Sequence, residues 1–134
     1  GPSSSKLDGL LKKLNLDKKK IVLFGARSEF YRPVSLALNL TLRNKEKNFS
    51  ERKLFNNRKK HTDNFNSELL NYSKNNNLLF YDPSELACNY FENKCDFFSD
   101  SFELFYYDAA HWTVEGAKHF GGKISKEFDF LISN

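Results

Sequence analysis

Two short, unbroken apolar runs constrain this chain more than any other feature: Ile21-Val22-Leu23-Phe24 before Gly25, and Leu78-Leu79-Phe80-Tyr81 before Asp82-Pro83. A run that is apolar at every position, not at alternate ones, is the pattern of a strand covered on both faces, as in a parallel sheet. Parallel strands need a crossover, and the sequence between these two reads as helix. Val34, Leu38 and Thr41 or Leu42 fall at helical spacing over residues 34–44. Residues 50–75 read as one longer amphipathic helix, with Ser50 as N-cap and Leu54, Phe55, Thr62, Phe65, Leu69 and Tyr72 on the buried side. Upstream, Leu7, Leu10, Leu11 and Leu14 predict a helix over 6–16. Downstream, residues 102–107 read as a brief extended segment in which Tyr106 and Tyr107 alternate in and out. A closing helix is predicted over 113–131, with Thr113 as N-cap and Glu115 in its first turn. Helices alternating with buried strands predict an α/β fold, although two strands are too few for a self-sufficient doubly wound sheet.

At 134 residues the chain is one small domain or part of one. Aromatic residues make up 16% of it, which supplies a core and excludes the disordered class. No apolar run approaches the roughly 18 to 20 residues of a membrane span, and no secretory leader opens the chain. Gly1-Pro2-Ser3-Ser4-Ser5 reads as an expression-tag remnant, which leaves 6–134 as a single α/β unit excised from something longer.

Charge is uneven. Residues 1–67 carry 16 basic and 6 acidic side chains, and residues 68–134 carry 5 and 11. A basic half can bind polyanions, but Lys18-Lys19-Lys20 precede a strand, and Arg52, Lys53, Arg58, Lys59 and Lys60 fit the solvated face of a helix. No nucleic-acid module has its signature here, so no nucleic-acid partner is expected. Cys88 and Cys95 permit a local disulfide, free thiols or, less readily, a zinc site, which would need further ligands nearby.

The segment that points to chemistry is Asp108-Ala109-Ala110-His111-Trp112-Thr113, between an extended segment and a helix start. A catalytic imidazole needs its tautomer fixed, and a carboxylate three residues earlier can do this by accepting from Nδ1–H. The plainer alternative is a turn-capping Asp followed by a histidine of no special role. His111, Glu115 and His119 also lie at four-residue steps, but they span roughly 12 Å at 1.5 Å per residue, too far for one ion, so no metal is expected. His119 is expected to pack or face solvent, and His61 to lie on the surface.

Asp108, His111, Trp112, Thr113, Gly116 and Ala117 resemble the last block of the SGNH (GDSL-like) hydrolases and acyltransferases. The closest likeness is to the extracytoplasmic SGNH domain fused to the type 3 membrane acyltransferases that O-acetylate bacterial surface glycans. The lead Lys20 to Phe30 is similar to a block of that subfamily, and so is a cysteine pair before the Asp-x-x-His, which favours a Cys88–Cys95 disulfide. The resemblance implies part of a three-layer, parallel-sheet, flavodoxin-like fold in the periplasm or on the outer face of the inner membrane.

It also implies a Ser-His-Asp mechanism in which His111 is the general base and Asp108 orients it. Trp112 either walls the acyl pocket or anchors packing. No cofactor is implied, only an acyl donor such as acetyl-CoA or an acyl group relayed by the membrane domain. The Gly-Asp-Ser block of the family is absent: Gly25 is followed by Ala26-Arg27-Ser28, so Ser28 is a candidate nucleophile that sits one position late and lacks the Asp. The chain therefore resembles the C-terminal half of an SGNH domain, with the upstream half, a transmembrane acyltransferase domain and a bacterial surface glycan as implied partners. It is expected to be inactive alone. A half-sheet exposes an edge that could pair two copies. The rival reading is a non-catalytic glycan-binding module, for which the basic half and the aromatics Tyr31, Tyr90 and Trp112 are suited.

Overall fold

The computed structural model describes residues 4–14, 21–44 and 46–133. The elements run α1 (Ser4–Leu14), β1 (Val22–Phe24), α2 (Pro33–Leu42), α3 (Lys47–Asn56), α4 (His61–Asn75), β2 (Leu79–Tyr81), α5 (Ser84–Ala87), β3 (Cys88–Asn89), β4 (Lys94–Cys95) and α6 (Val114–Ser133). The expected end of the first helix at residues 15 and 16 lies outside the described residues. The Tyr72 hydroxyl donates to Asp8 at 2.5 Å and ties α1 to α4. No helix among the described residues is long and apolar enough to cross a membrane.

The two apolar runs form a parallel pair in the register Val22↔Leu79, Leu23↔Phe80 and Phe24↔Tyr81. Alternation puts Phe24 and Tyr81 on one face, with ring centroids 5.3 Å apart, where Phe24 also stacks on Phe128 of α6 at 6.0 Å. Phe80 lies toward α4 and shares a cleft with Asn66 and Leu70. The expectation that both strands are covered on both faces needs correction, because Phe24 is 50% exposed. The sheet is two strands wide, so each strand is an edge and one helix covers it only in part. The α/β class holds, and a wider three-layer sheet is not seen among the described residues.

The long helix expected over 50–75 is two helices, α3 and α4, and Ser50 lies inside α3 with its hydroxyl donating to the Glu46 carbonyl at 3.0 Å. Tertiary hydrogen bonds break the helical ladder between them. Tyr31 N–H donates to Asn57 O at 3.0 Å, Lys59 N–H donates to Glu29 O at 2.8 Å, and the Asn57 side-chain amide donates to Tyr31 O. A backbone group that finds an equally good partner elsewhere loses little by leaving the helix. Arg58, expected on a solvated helix face, is instead packed with its guanidinium 3.8 Å from the Phe55 ring centroid and 4.7 Å from that of Tyr90.

Residues 102–107 form isolated pairings, Phe98↔Leu104 and Tyr106↔Trp112, and not a strand, yet Tyr106 is buried and Tyr107 exposed, as the alternation predicted. Cys88 and Cys95 face each other across β3 and β4 and are joined by a disulfide. Next to it, the Asp96 carboxylate accepts from His119 Nε2 and Lys123 Nζ, both at 2.7 Å, which pins this hairpin to α6. Around it lies the core of Phe30, Leu54, Phe97, Phe105, Tyr106 and Phe120. Converting both cysteines to Ala is expected to cost about 2 to 3 kcal/mol by the loop-entropy relation. A thermal melt checks this, and an unchanged midpoint would show that the hairpin is held by packing alone.

Candidate active site

Asp108 sits at the tip of a tight turn whose stem is the Tyr106↔Trp112 pairing, closed by Tyr107 N–H donating to His111 O at 3.2 Å. One carboxylate oxygen of Asp108 accepts the backbone N–H groups of Ala110 at 2.9 Å and His111 at 2.8 Å. The other is 2.7 Å from His111 Nδ1. Three donors converging on one carboxylate favour its ionised form, and they hold the Asp108 pKa down to about 2, the two backbone N–H groups contributing most and the imidazole next. A depressed carboxyl stabilises the turn at every pH above its ordinary value near 3.8, and that contribution is lost as pH falls toward 2. The Asp108 carboxyl carbon is therefore expected to titrate by NMR with a midpoint near 2, rising partway toward the ordinary value in His111→Ala; a midpoint near 4 in the native chain would refute the lock.

Both ends of the turn are anchored. Thr113 N–H donates to Phe105 O at 2.9 Å and its hydroxyl donates to Leu104 O at 2.6 Å, while the same hydroxyl oxygen accepts Gly116 N–H at 3.0 Å as the N-cap of α6. At the tip, Phe30 N–H donates to Ala109 O at 2.8 Å, bringing the segment after β1 against the histidine turn. The imidazole lies parallel to the Tyr107 ring, with centroids 5.6 Å apart, and 57% of its side chain is exposed. An ionised carboxylate at Nδ1 places the proton there, so the neutral ring presents its lone pair outward at Nε2.

A carboxylate-oriented imidazole at the start of a closing helix is what the last block of the SGNH families requires, and the family model described as "SGNH domain (fused to AT3 domains)" matches residues 2–126. The chain belongs to this family. It is thus an SGNH domain of the kind associated with acyltransferase-3 domains. The curated proteins and the solved structures gave no match.

The other expected residues of this SGNH domain fall in different places. Ser28 is 2% exposed, with its hydroxyl oxygen 3.5 Å from the Ser84 carbonyl and 3.6 Å from the Cys88 sulfur. Trp112 is partly buried between Phe120, at 4.8 Å, and the Arg27 guanidinium, at 5.2 Å, the surroundings of a packing anchor. His119 stacks on Phe105 at 4.4 Å. His61 is exposed, 3.6 Å from Glu29. His111, Glu115 and His119 have separate partners in Asp108, Lys118 and Asp96, and no group of metal ligands forms among the described residues.

Sequence reasoning missed Asn66. Its side-chain amide donates to Ala26 O at 2.7 Å and Asp82 Oδ1 at 2.8 Å, and its oxygen accepts Ala26 N–H at 2.6 Å, so it fastens the C-terminal ends of both strands. A side chain at Gly25 would meet it, with an added Cβ 2.6 Å from Asn66 Oδ1. The Gly after the first apolar run was the available signal.

Proposed function

We propose that Asp108 and His111 are the orienting carboxylate and general base of an O-acyltransferase or esterase site acting on O-acetyl groups of a bacterial surface glycan: lipopolysaccharide O-antigen, capsule or peptidoglycan. The observation that carries this reading is the 2.7 Å contact between His111 Nδ1 and the ionised Asp108, with the imidazole otherwise open to solvent. In the forward reaction Nε2 takes the proton of a serine hydroxyl as the serine oxygen attacks the acyl carbonyl, and the imidazolium returns that proton to the departing group. Nε2 next takes the proton of a glycan hydroxyl whose oxygen attacks the acyl-serine, and gives it back to the serine oxygen as that bond breaks. Asp108 stays ionised throughout and stabilises each imidazolium.

The acyl donor in this reading is acetyl-CoA or an acyl group relayed by the membrane acyltransferase domain, with no resident cofactor. The Cys88–Cys95 disulfide supports an oxidising, extracytoplasmic setting. In this reading the serine comes from another segment of the parent protein, because the Ser28 hydroxyl is buried beside Ser84 and Cys88. Hydrolysis of p-nitrophenyl acetate by this chain is accordingly expected at the buffer rate, unchanged in Ser28→Ala. Turnover abolished by Ser28→Ala would put the nucleophile at Ser28 after all.

The binding-module reading is favoured by one observation: no serine hydroxyl among the described residues is hydrogen-bonded to His111. Glycan acylation by the parent protein that survives His111→Ala would select it.

A further inference from the structure

A groove of about 700 Å³ opens beside the histidine turn, with Ala109 on one wall and Tyr31, Arg32, Asn39, Arg43 and Lys59 among its lining. Its charge is one-sided, since three cations and no carboxylate line it. Lys59 is paired with Glu29 at 3.4 Å, whereas Arg32 and Arg43 have no ion pair or hydrogen-bonded side-chain partner among the described residues.

The floor of the groove is held firmly. Tyr31 and Asn57 exchange hydrogen bonds in both directions, and Phe30 N–H is fixed to Ala109 O. Arg32 sits at φ 45° and ψ 56°, a left-handed backbone conformation unfavourable for a residue other than glycine, between the Tyr31–Asn57 hydrogen bonds and the start of α2. Tyr31, 60% exposed, has Lys59 Nζ over one face of its ring at 5.6 Å and offers the other, and Asn39 offers both a donor and an acceptor.

Guanidinium groups without a partner recognise carboxylates through paired N–H donors, an aromatic face stacks on a pyranose ring, and an amide pairs with hydroxyls. We propose that this groove binds a carboxylated sugar unit, of the uronic acid class, in the acceptor glycan, and so delivers a neighbouring hydroxyl to His111. This deepens the proposed acyl-transfer reading and rests on it for the role of His111, though the binding itself can be measured independently.

The test is titration of this chain, by NMR and calorimetry, with a tetrasaccharide alternating glucuronate and N-acetylglucosamine, with neutral chitotetraose, and with inorganic phosphate at matched ionic strength. Binding of the glucuronate oligomer at least tenfold tighter than that of chitotetraose is expected, weakening with added salt and perturbing Tyr31, Asn39 and Ala109. Arg43→Gln, on the exposed end of α2, is expected to weaken it at least fivefold without moving the thermal midpoint, and Arg32→Gln to weaken it similarly. Equal binding of the neutral oligomer, no binding, shifts elsewhere, or unchanged affinity in Arg43→Gln would each overturn the proposal. Phosphate reproducing the same shifts at the same concentration would overturn its saccharide specificity. Glycan acylation by the parent protein that survives His111→Ala would defeat the acyl-transfer reading while leaving the measured binding, and so the groove, standing.

Discussion

On the proposed mechanism, replacing Asp108 with Asn is expected to lower acyl transfer by the parent protein about 10⁴-fold while leaving the domain folded. The amide oxygen of Asn can still accept the Ala110 and His111 backbone N–H groups, so the turn closes as before. At Nδ1 the change is severe. A neutral amide neither stabilises an imidazolium nor enforces the tautomer with its lone pair at Nε2, and its NH₂ group favours the opposite one. His111→Ala removes the base itself and is expected to cost at least as much, and the double variant is expected to be no worse than His111→Ala alone, because the two act as one unit. Initial rates of acyl transfer, with circular dichroism as the folding control, decide it. Asp108→Asn retaining more than a tenth of the activity would mean that the carboxylate serves the turn and not the chemistry.

Gly116→Ala is expected to destabilise the domain by about 3 kcal/mol, the upper part of the range for overpacking a filled space, lowering the melting midpoint by about 10 °C. A methyl group at Gly116 runs into the Phe105 carbonyl, which already accepts the Thr113 N–H and cannot withdraw without breaking the anchor of α6. The same substitution at Gly121 or Gly122, later in α6, meets nothing within 4 Å. There Ala is expected to stabilise by about 0.5 to 1 kcal/mol, because Gly is a poor helix former. Three melts in one buffer make the comparison, and equal effects at 116 and 121 would remove the close approach as the reason for Gly116. Since that approach also sets where the Asp108–His111 turn leaves Phe105, Gly116→Ala is expected to reduce acyl transfer more than its loss of stability alone accounts for.

Parts of this molecule signalled through short-range physics are legible in the amino-acid sequence. Thr113 caps α6 as expected, since capping depends on a hydroxyl reaching an N–H three residues ahead. The Asp-x-x-His lock is equally local, with all its hydrogen bonds inside four consecutive residues. The two apolar runs became the parallel pair because continuous apolarity has few other uses at that length. Reading 50–75 as one helix failed at Asn57 to Lys60, where the pull comes from Glu29 and Tyr31, well over twenty residues away. Burial of β1 was overestimated for a similar reason: Phe24 is as apolar as a core strand demands, but the sheet beside it is two strands wide.

The α/β class, the histidine turn with its cap, and the likeness to the SGNH family were all readable from the amino-acid order, because each is written in residues close together in the chain. Tertiary packing is what buries Ser28 beside Ser84 and Cys88, fastens both strand ends through Asn66, and brings Arg32, Arg43 and Lys59 to one groove beside Ala109. Those outcomes depend on which distant backbone groups satisfy one another when the chain closes, and composition and periodicity carry no record of that pairing.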